Sequence, residues 1–284
     1  DGDVGQGDRE RDPEHEHPHR WDEPVRAPFH GQRNRGSGQG SRSVVRGFAK
    51  HLHLINARHQ IPPRDVLPRY ARRSTPSIYS PEEIARLLRA ARELRSCRSA
   101  GSEFRAATYE TLFGLIAATG MRVGEAIRLD RSDVDWTNGL VIIRESKFGK
   151  SREVVLHNTV MHALRRYAKQ RDRAHPRPRT SSFFVSLVGT RLIYSNVHNM
   201  FARLLRNAGI QRAKARIHDL RHTFIVRTIT CWHRERVDVG ARMPALSTYV
   251  GHRDPSSTYW YLSASPELMT VVGRKVQRAL GALP

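Results

Sequence analysis

Cysteine is nearly absent. Cys97 and Cys231 are the only two in 284 residues, too few for a disulfide framework or a zinc-ligand set, which points to a reducing cytosol. No run of eighteen apolar residues occurs, so nothing reads as a membrane span, and no signal-peptide pattern is visible. The chain lacks a Walker GxxxxGK(S/T) loop, an HExxH pair and an acidic metal cluster in context. Paired carboxylates for acid–base hydrolysis are missing too. No internal repeat is found. The first residue is Asp1 rather than Met, and the expectation is that the true N-terminus lies upstream.

Positive charge is what the chain has in excess. The formal net charge is +22, which favours a polyanionic partner, nucleic acid first. Residues 1–30 hold nine acidic and four basic side chains, net −5, so the remainder carries +27. The basic character therefore belongs to the folded part. Arginine far outnumbers lysine. Its planar fork binds phosphate oxygens in a bidentate way and stays charged, although a GC-rich genome enriches arginine as well.

Three stretches are expected along the chain: residues 1–42 disordered, 43–79 a remnant of an N-terminal helical domain plus a basic linker, and 80–284 a catalytic domain. The first is rich in Gly, Pro, His and charge without apolar periodicity. Its His15, His17 and His19 read as solvated rather than as ligands. Ser43 to Ile55 has helical spacing of apolar residues. Pro62, Pro63, Pro68 and Pro76, interleaved with arginines, mark the linker.

From Ser80 onward the pattern is helical. Ser80-Pro81-Glu82-Glu83 is a helix start: N-cap, proline, then acids in the first turn. A second helix runs from near Ser102 to Thr119-Gly120, and Met121 to Glu125 opens a short third. Residues 134–136, 140–144 and 152–156 read as three strands, joined by turns at 137–139 and 147–150. Asn158 is expected to cap a helix reaching Lys169, followed by a basic loop from Arg171. Residues 182–185 suggest a short strand, and 195–208 a helix. Pro244 is expected to start a helix ending at Gly251, and 267–280 to form a terminal helix. The fold class expected is mainly α with a small antiparallel three-stranded sheet.

The chemistry concentrates between Ile217 and Leu262, which holds His218, Arg221, His252 and Tyr261. Arg122 lies about a hundred positions upstream. Two arginines can offset the charge of a phosphodiester while a tyrosine oxygen attacks phosphorus. A phenol of pKa about 10 needs a base or a strongly cationic site, which His218 or the arginines could supply. The blander alternatives are visible. Arg122 could simply pair with Glu125, and His252 could be a helix-terminal hydrogen bonder. His218 and His222, spaced i, i+4, could bind zinc, although Arg221 beside them disfavours a cation. Tyr249 and Tyr259 rival Tyr261, but Tyr259 faces elsewhere on a helix.

The segments ATGMRVGEA, ESKFGKSREVVL, HDLRHT and LSTYVGH, with Tyr261 nine residues after the last, occur in one order. In these the chain resembles the tyrosine recombinases, or phage integrase family, from about Ser80 to its end. The resemblance implies an integrase-type catalytic domain that cleaves and rejoins DNA through a 3′-phosphotyrosine. It implies Arg122 and Arg221 on the scissile phosphate, and Lys147 protonating the leaving 5′ oxygen, a role Lys150 on the same hairpin could take. His218 and His252 would assist proton transfer and phosphate binding, with Tyr261 as nucleophile. Glu125 and Asp219 would brace the arginines and the fold. Lys150, Arg152, Lys214 and Arg216 are expected to face DNA. No cofactor and no metal is expected. The partners implied are double-stranded DNA and further copies of the chain, as a tetramer on two sites of a mobile element, with no membrane and a cytoplasmic location. Family members carry an N-terminal helical domain, of which only Ser43 to Ile55 is recognisable. A truncated or frame-shifted gene, or a misassigned start, is the expected explanation. A site-binding relative without turnover and a type IB topoisomerase-like enzyme are the alternatives.

Overall fold

The computed structural model describes residues 38–62, 76–96, 101–144, 151–212, 215–252, 254–264, 268–270, 273 and 277. The chain divides after Ala71 into two units. The first contains helix α1 (Gly38–Ile55), longer at its start than the sequence suggests. Arg46 Nη1 donates to the Pro62 carbonyl beyond it.

The second unit is helical with one small sheet. Helix α2 (Pro81–Glu93) begins as its sequence dictates. Ser80 Oγ accepts from the Glu83 amide at 3.2 Å, and the Glu83 carboxylate accepts from the Ser80 amide at 2.8 Å. This reciprocal cap satisfies two otherwise orphaned donors. Helix α3 (Ser102–Thr119) is the central element, with α2 against it and later helices around it. It stops at Gly120, whose φ of +64° only glycine adopts without strain. Helix α4 (Val123–Arg128) follows at once.

Strands β1 (Val134–Asp135), β2 (Leu140–Ile143) and β3 (Arg152–Val155) form an antiparallel sheet in that order. Val134 pairs with Val141 and Ile143 with Arg152. The β1–β2 turn is held by Asp135 Oδ1, which accepts from the amides of Thr137 and Asn138. Val141 and Ile143 point inward, as the period of two requires. The fold class is the expected one.

Helices α5 (Asn158–Ala174), α6 (Tyr194–Asn207), α7 (His218–Arg234), α8 (Val239–Val250) and α9 (Ser256–Ala264) complete the unit. Four expectations are corrected in this part of the chain. The cap of α5 is His157, not Asn158, with Nδ1 accepting from the Thr159 amide. That helix runs on through residues expected to be a loop, because Arg171 is buried against Phe183 and donates to its carbonyl at 3.0 Å. Residues 182–185 make isolated bridges to Asp130 and Arg191 instead of a strand. Helix α8 begins at Val239, capped by Asp238, so Pro244 sits inside it rather than at its start. There the proline forfeits the single hydrogen bond to Gly240.

The larger core lies between α2, α3, α5, α6 and the sheet, with Leu112, Phe113, Phe183 and Phe201 at its centre. A second cluster joins α7, α8 and α9 through Ile225, Ile229, Met243 and Val250, and includes Tyr261 and Leu268. Lys147, Lys150 and Lys214 lie outside the described residues, as do residues 1–37, 63–75 and most of the expected terminal helix. Among the described residues, no helix is long and apolar enough to cross a membrane.

Candidate active site

Two arginines from separate helices converge because two glycine turns present carbonyl oxygens to them. Arg221 lies in the first turns of α7 and is 1% exposed. Its Nη1 donates to the Gly120 carbonyl at 2.7 Å. Gly120 is the left-handed residue closing α3, and a Cβ there would meet Phe224 Cδ1 at 2.5 Å. Arg122, at the start of α4, donates through Nη2 to the Gly251 carbonyl at 2.7 Å. Gly251 closes α8 with φ of +70° and leaves no room for a side chain against Arg152.

Glu125 ties the site to the sheet. It is 4% exposed. It accepts from Arg122 Nη1 at 2.7 Å, and from Arg152 Nη1 and Nη2 at 3.1 and 2.8 Å. Burial alone would raise its pKa, but the hydrogen bonds and charge of Arg152, with the bonds from Arg122, bring it down to about 2. Burial, reinforced by the nearby Arg122 charge, lowers the Arg221 guanidinium to about 10, with Glu125 and Tyr261 opposing the shift. Arg221 therefore stays cationic at neutral pH. Its Nη2 is buried and has no acceptor among the described residues, which leaves a donor for an oxygen brought from outside.

The histidines and the tyrosine come from α7, α9 and the turn after α8. His218 is exposed at the first residue of α7. His252 follows Gly251, and its Nδ1 shares a 2.6 Å hydrogen bond with Thr258 Oγ1 on α9. Tyr261, on the same helix, is 3% exposed, and its ring stacks on His252 at 6.4 Å between centroids. Its hydroxyl lies 2.5 Å from His222 Nδ1 and shares a hydrogen bond with it. The rival tyrosines point elsewhere. Tyr259 is largely exposed, and the Tyr249 hydroxyl donates to the Val155 carbonyl on β3.

The structure thus brings together Arg122, Glu125, Arg221, His252 and Tyr261, with His218 exposed beside His222. Asp219 is fully buried and holds Arg216 instead of the two site arginines. Its Oδ2 accepts from the Arg216 amide at 2.9 Å and its Oδ1 from Arg216 Nη2 at 3.1 Å. The Arg216 side chain remains 53% exposed. Arg152 corrects an expectation: it does not face outward. Nε donates to the Tyr249 carbonyl at 2.9 Å while both Nη atoms serve Glu125, so the group is an internal brace between β3, α4 and α8.

Sequence reasoning weighed His222 only as a zinc ligand. Its i+4 spacing from His218 signals a shared helix face, but its partner, 39 residues on, emerges only in the fold. Thr258 and the Gly120 and Gly251 carbonyls carry no sequence signal of this role. Among the described residues, no group of three or more metal-ligating side chains forms.

Comparison with known proteins bears on family and fold. The model of the phage integrase family matches residues 79–267. The putative integrase/recombinase y4rE of Sinorhizobium fredii is 40% identical over 233 residues, spanning 82% of this chain and 74% of that protein. The XerH site-specific recombinase in a post-cleavage complex with palindromic difH substrate shares the fold with a TM-score of 0.60. It is 19% identical over 83% of this chain and 64% of its own. A lambda integrase tetramer bound to a Holliday junction has a TM-score of 0.55 at 15% identity, over 78% of this chain and 57% of its own. A domain match across most of the chain and a relative aligned along most of both lengths lead to one conclusion: the chain belongs to the phage integrase family of tyrosine recombinases.

Proposed function

We propose that this chain is a site-specific DNA recombinase of a mobile element, acting through a 3′-phosphotyrosine on Tyr261. Arg122 and Arg221 bind the nonbridging oxygens of the scissile phosphate and offset charge as the pentacoordinate state forms. The Tyr261 oxygen bonds to phosphorus and the bond to the 5′ oxygen breaks. Lys147 gives that oxygen a proton, and His218 and His252 assist at the phosphate. The phosphotyrosine conserves the bond energy, so rejoining by a 5′ hydroxyl needs no nucleotide. Arg216, Lys150 and Lys214 contact the DNA backbone, and four copies act on two sites.

The observation that carries this reading is the buried Arg221. Its Nη2 has no acceptor among the described residues, and it lies close enough to Tyr261 to interact electrostatically. A guanidinium held this way against burial, beside a phenol, suits an incoming phosphate. The lambda integrase tetramer on a Holliday junction supports the assembly, and XerH on its difH substrate supports the DNA partner.

Covalent trapping tests it. Nicked DNA from the borders of the chain's genomic element is incubated with the protein in EDTA, and a denaturant-resistant adduct is sought. The expected result is an adduct lost in Tyr261→Phe and kept in Tyr259→Phe and Tyr249→Phe. Salt-sensitive binding without any adduct would leave a DNA-binding relative instead. Relaxation of supercoils without strand exchange would favour the topoisomerase-like alternative.

A further inference from the structure

We infer that His222 is the group that takes the Tyr261 proton when the phenol attacks, and returns it on rejoining. This rests on the reading of Tyr261 as nucleophile.

The geometry points there directly. His222 Nδ1 and Tyr261 Oη are 2.5 Å apart, and both residues are buried at 7% and 3% exposure. His218, the histidine expected to do this work, is exposed one helical turn earlier. Its ring meets His222 edge-on, with centroids 4.5 Å apart. The Trp260 ring on α9 lies 6.5 Å from that of His222 between centroids. The Tyr261 ring contacts both His222, tilted with centroids 5.5 Å apart, and the near-parallel ring of His252.

The step balances without a further reactant. In the tautomer protonated at Nε2, His222 Nδ1 accepts the hydrogen bond that Tyr261 donates. As the Oη–P bond forms, the proton passes to Nδ1 and the imidazole becomes imidazolium. The P–O5′ bond breaks and the 5′ oxygen is protonated by the lysine side. On rejoining, the imidazolium returns its proton to the departing phenolate. A proton acceptor within hydrogen-bond reach of the attacking atom is what this chemistry requires.

The test uses the full chain on a nicked substrate in single turnover. His222→Asn keeps a polar atom near the Nδ1 position but removes the basic nitrogen. Adduct formation is expected to slow by about 100-fold, with denaturant stability and DNA affinity little changed. Replacing Tyr261 by 3,5-difluorotyrosine makes the phenol more acidic, so it needs less help. The ratio of native to His222→Asn rates is then expected to shrink to below about tenfold. A packing role would leave that ratio unmoved. Should His222→Asn form adduct at the native rate, or the ratio stay unchanged with difluorotyrosine, the inference falls while the proposed function stands. Should native protein give no adduct at all, both fall together.

Discussion

Arg122 Nη2 donates to the main-chain oxygen of Gly251, 129 residues further along the chain, at 2.7 Å. The next residue is His252, whose ring stacks on Tyr261. One turn at the end of α8 therefore sets both the arginine from α4 and the histidine beside the tyrosine. Arg152 lies under the same turn and shares Glu125 with Arg122. Changes at any of these positions are expected to propagate to the others.

Arg122→Lys tests the fork. A lysine keeps the charge but cannot serve Glu125, Gly251 and a phosphate at once. Adduct formation is expected to fall by about 100- to 1,000-fold, the range for losing one positioned charge-stabilising donor. The slope of DNA affinity against salt should stay nearly unchanged, because no charge is lost. Equal losses in binding and in cleavage would contradict this.

Gly120→Ala is expected to be costly twice over. The left-handed backbone disfavours a Cβ by about 1–2 kcal/mol. The Cβ would also sit 2.5 Å from Phe224, adding overpacking of about 1–3 kcal/mol. Gly139→Ala is the internal control, with φ of +69° and open space around it, so only the backbone cost applies. Urea unfolding midpoints should separate the two. The Gly120 variant should also lose cleavage, since its carbonyl orients Arg221.

Glu125 gives a pH dependence with a definite sign. Its carboxyl titrates near 2 in the fold against an ordinary value of 4.5. The stability this contributes is fully present above about pH 4.5 and is lost as pH falls toward 2. Its size is on the order of 3 kcal/mol. Glu125→Gln is expected to be destabilised at pH 7, with two half-buried arginine forks left unneutralised. The gap to native protein should narrow as pH falls from 4.5 to about 2. A gap constant across that range would show that the carboxylate charge is not what holds the arginines.

Arg152 and Arg216 separate bracing from DNA contact. Arg152→Gln is expected to lower stability and leave the salt slope of DNA binding unchanged, because its nitrogens are engaged internally. Arg216→Gln should barely move stability and should reduce the log–log salt slope by about 0.9, one phosphate contact. Opposite outcomes would restore Arg152 as a DNA-facing residue.

Much of the fold was legible in local signals. The Ser80 cap, the glycine after Thr119 and the alternation around Val141 are short-range features, and each formed where its residues sit. The misjudged elements have a common cause. Arg171 continues α5 because tertiary burial gives its stem and charge partners, which overrides the polar look of the segment. Pro244 falls inside α8 because Asp238 caps the helix six residues earlier, accepting from the Ala241 amide. The motif order alone singled out Arg122, Arg221, His252 and Tyr261 as candidates, since those residues sit in contiguous, recognisable stretches.

What the sequence by itself determined is the inventory: the charge excess, the family resemblance and the side chains available for phosphoryl transfer. What only the tertiary structure decided is who holds whom. The pairing of Tyr261 with His222, of Arg221 with the Gly120 carbonyl, and of Arg152 with Glu125 joins residues between 27 and 101 positions apart. No local periodicity encodes such pairs. They exist because α3, α7, α8 and α9 pack around shared cores, and packing alone brings those atoms within hydrogen-bond reach.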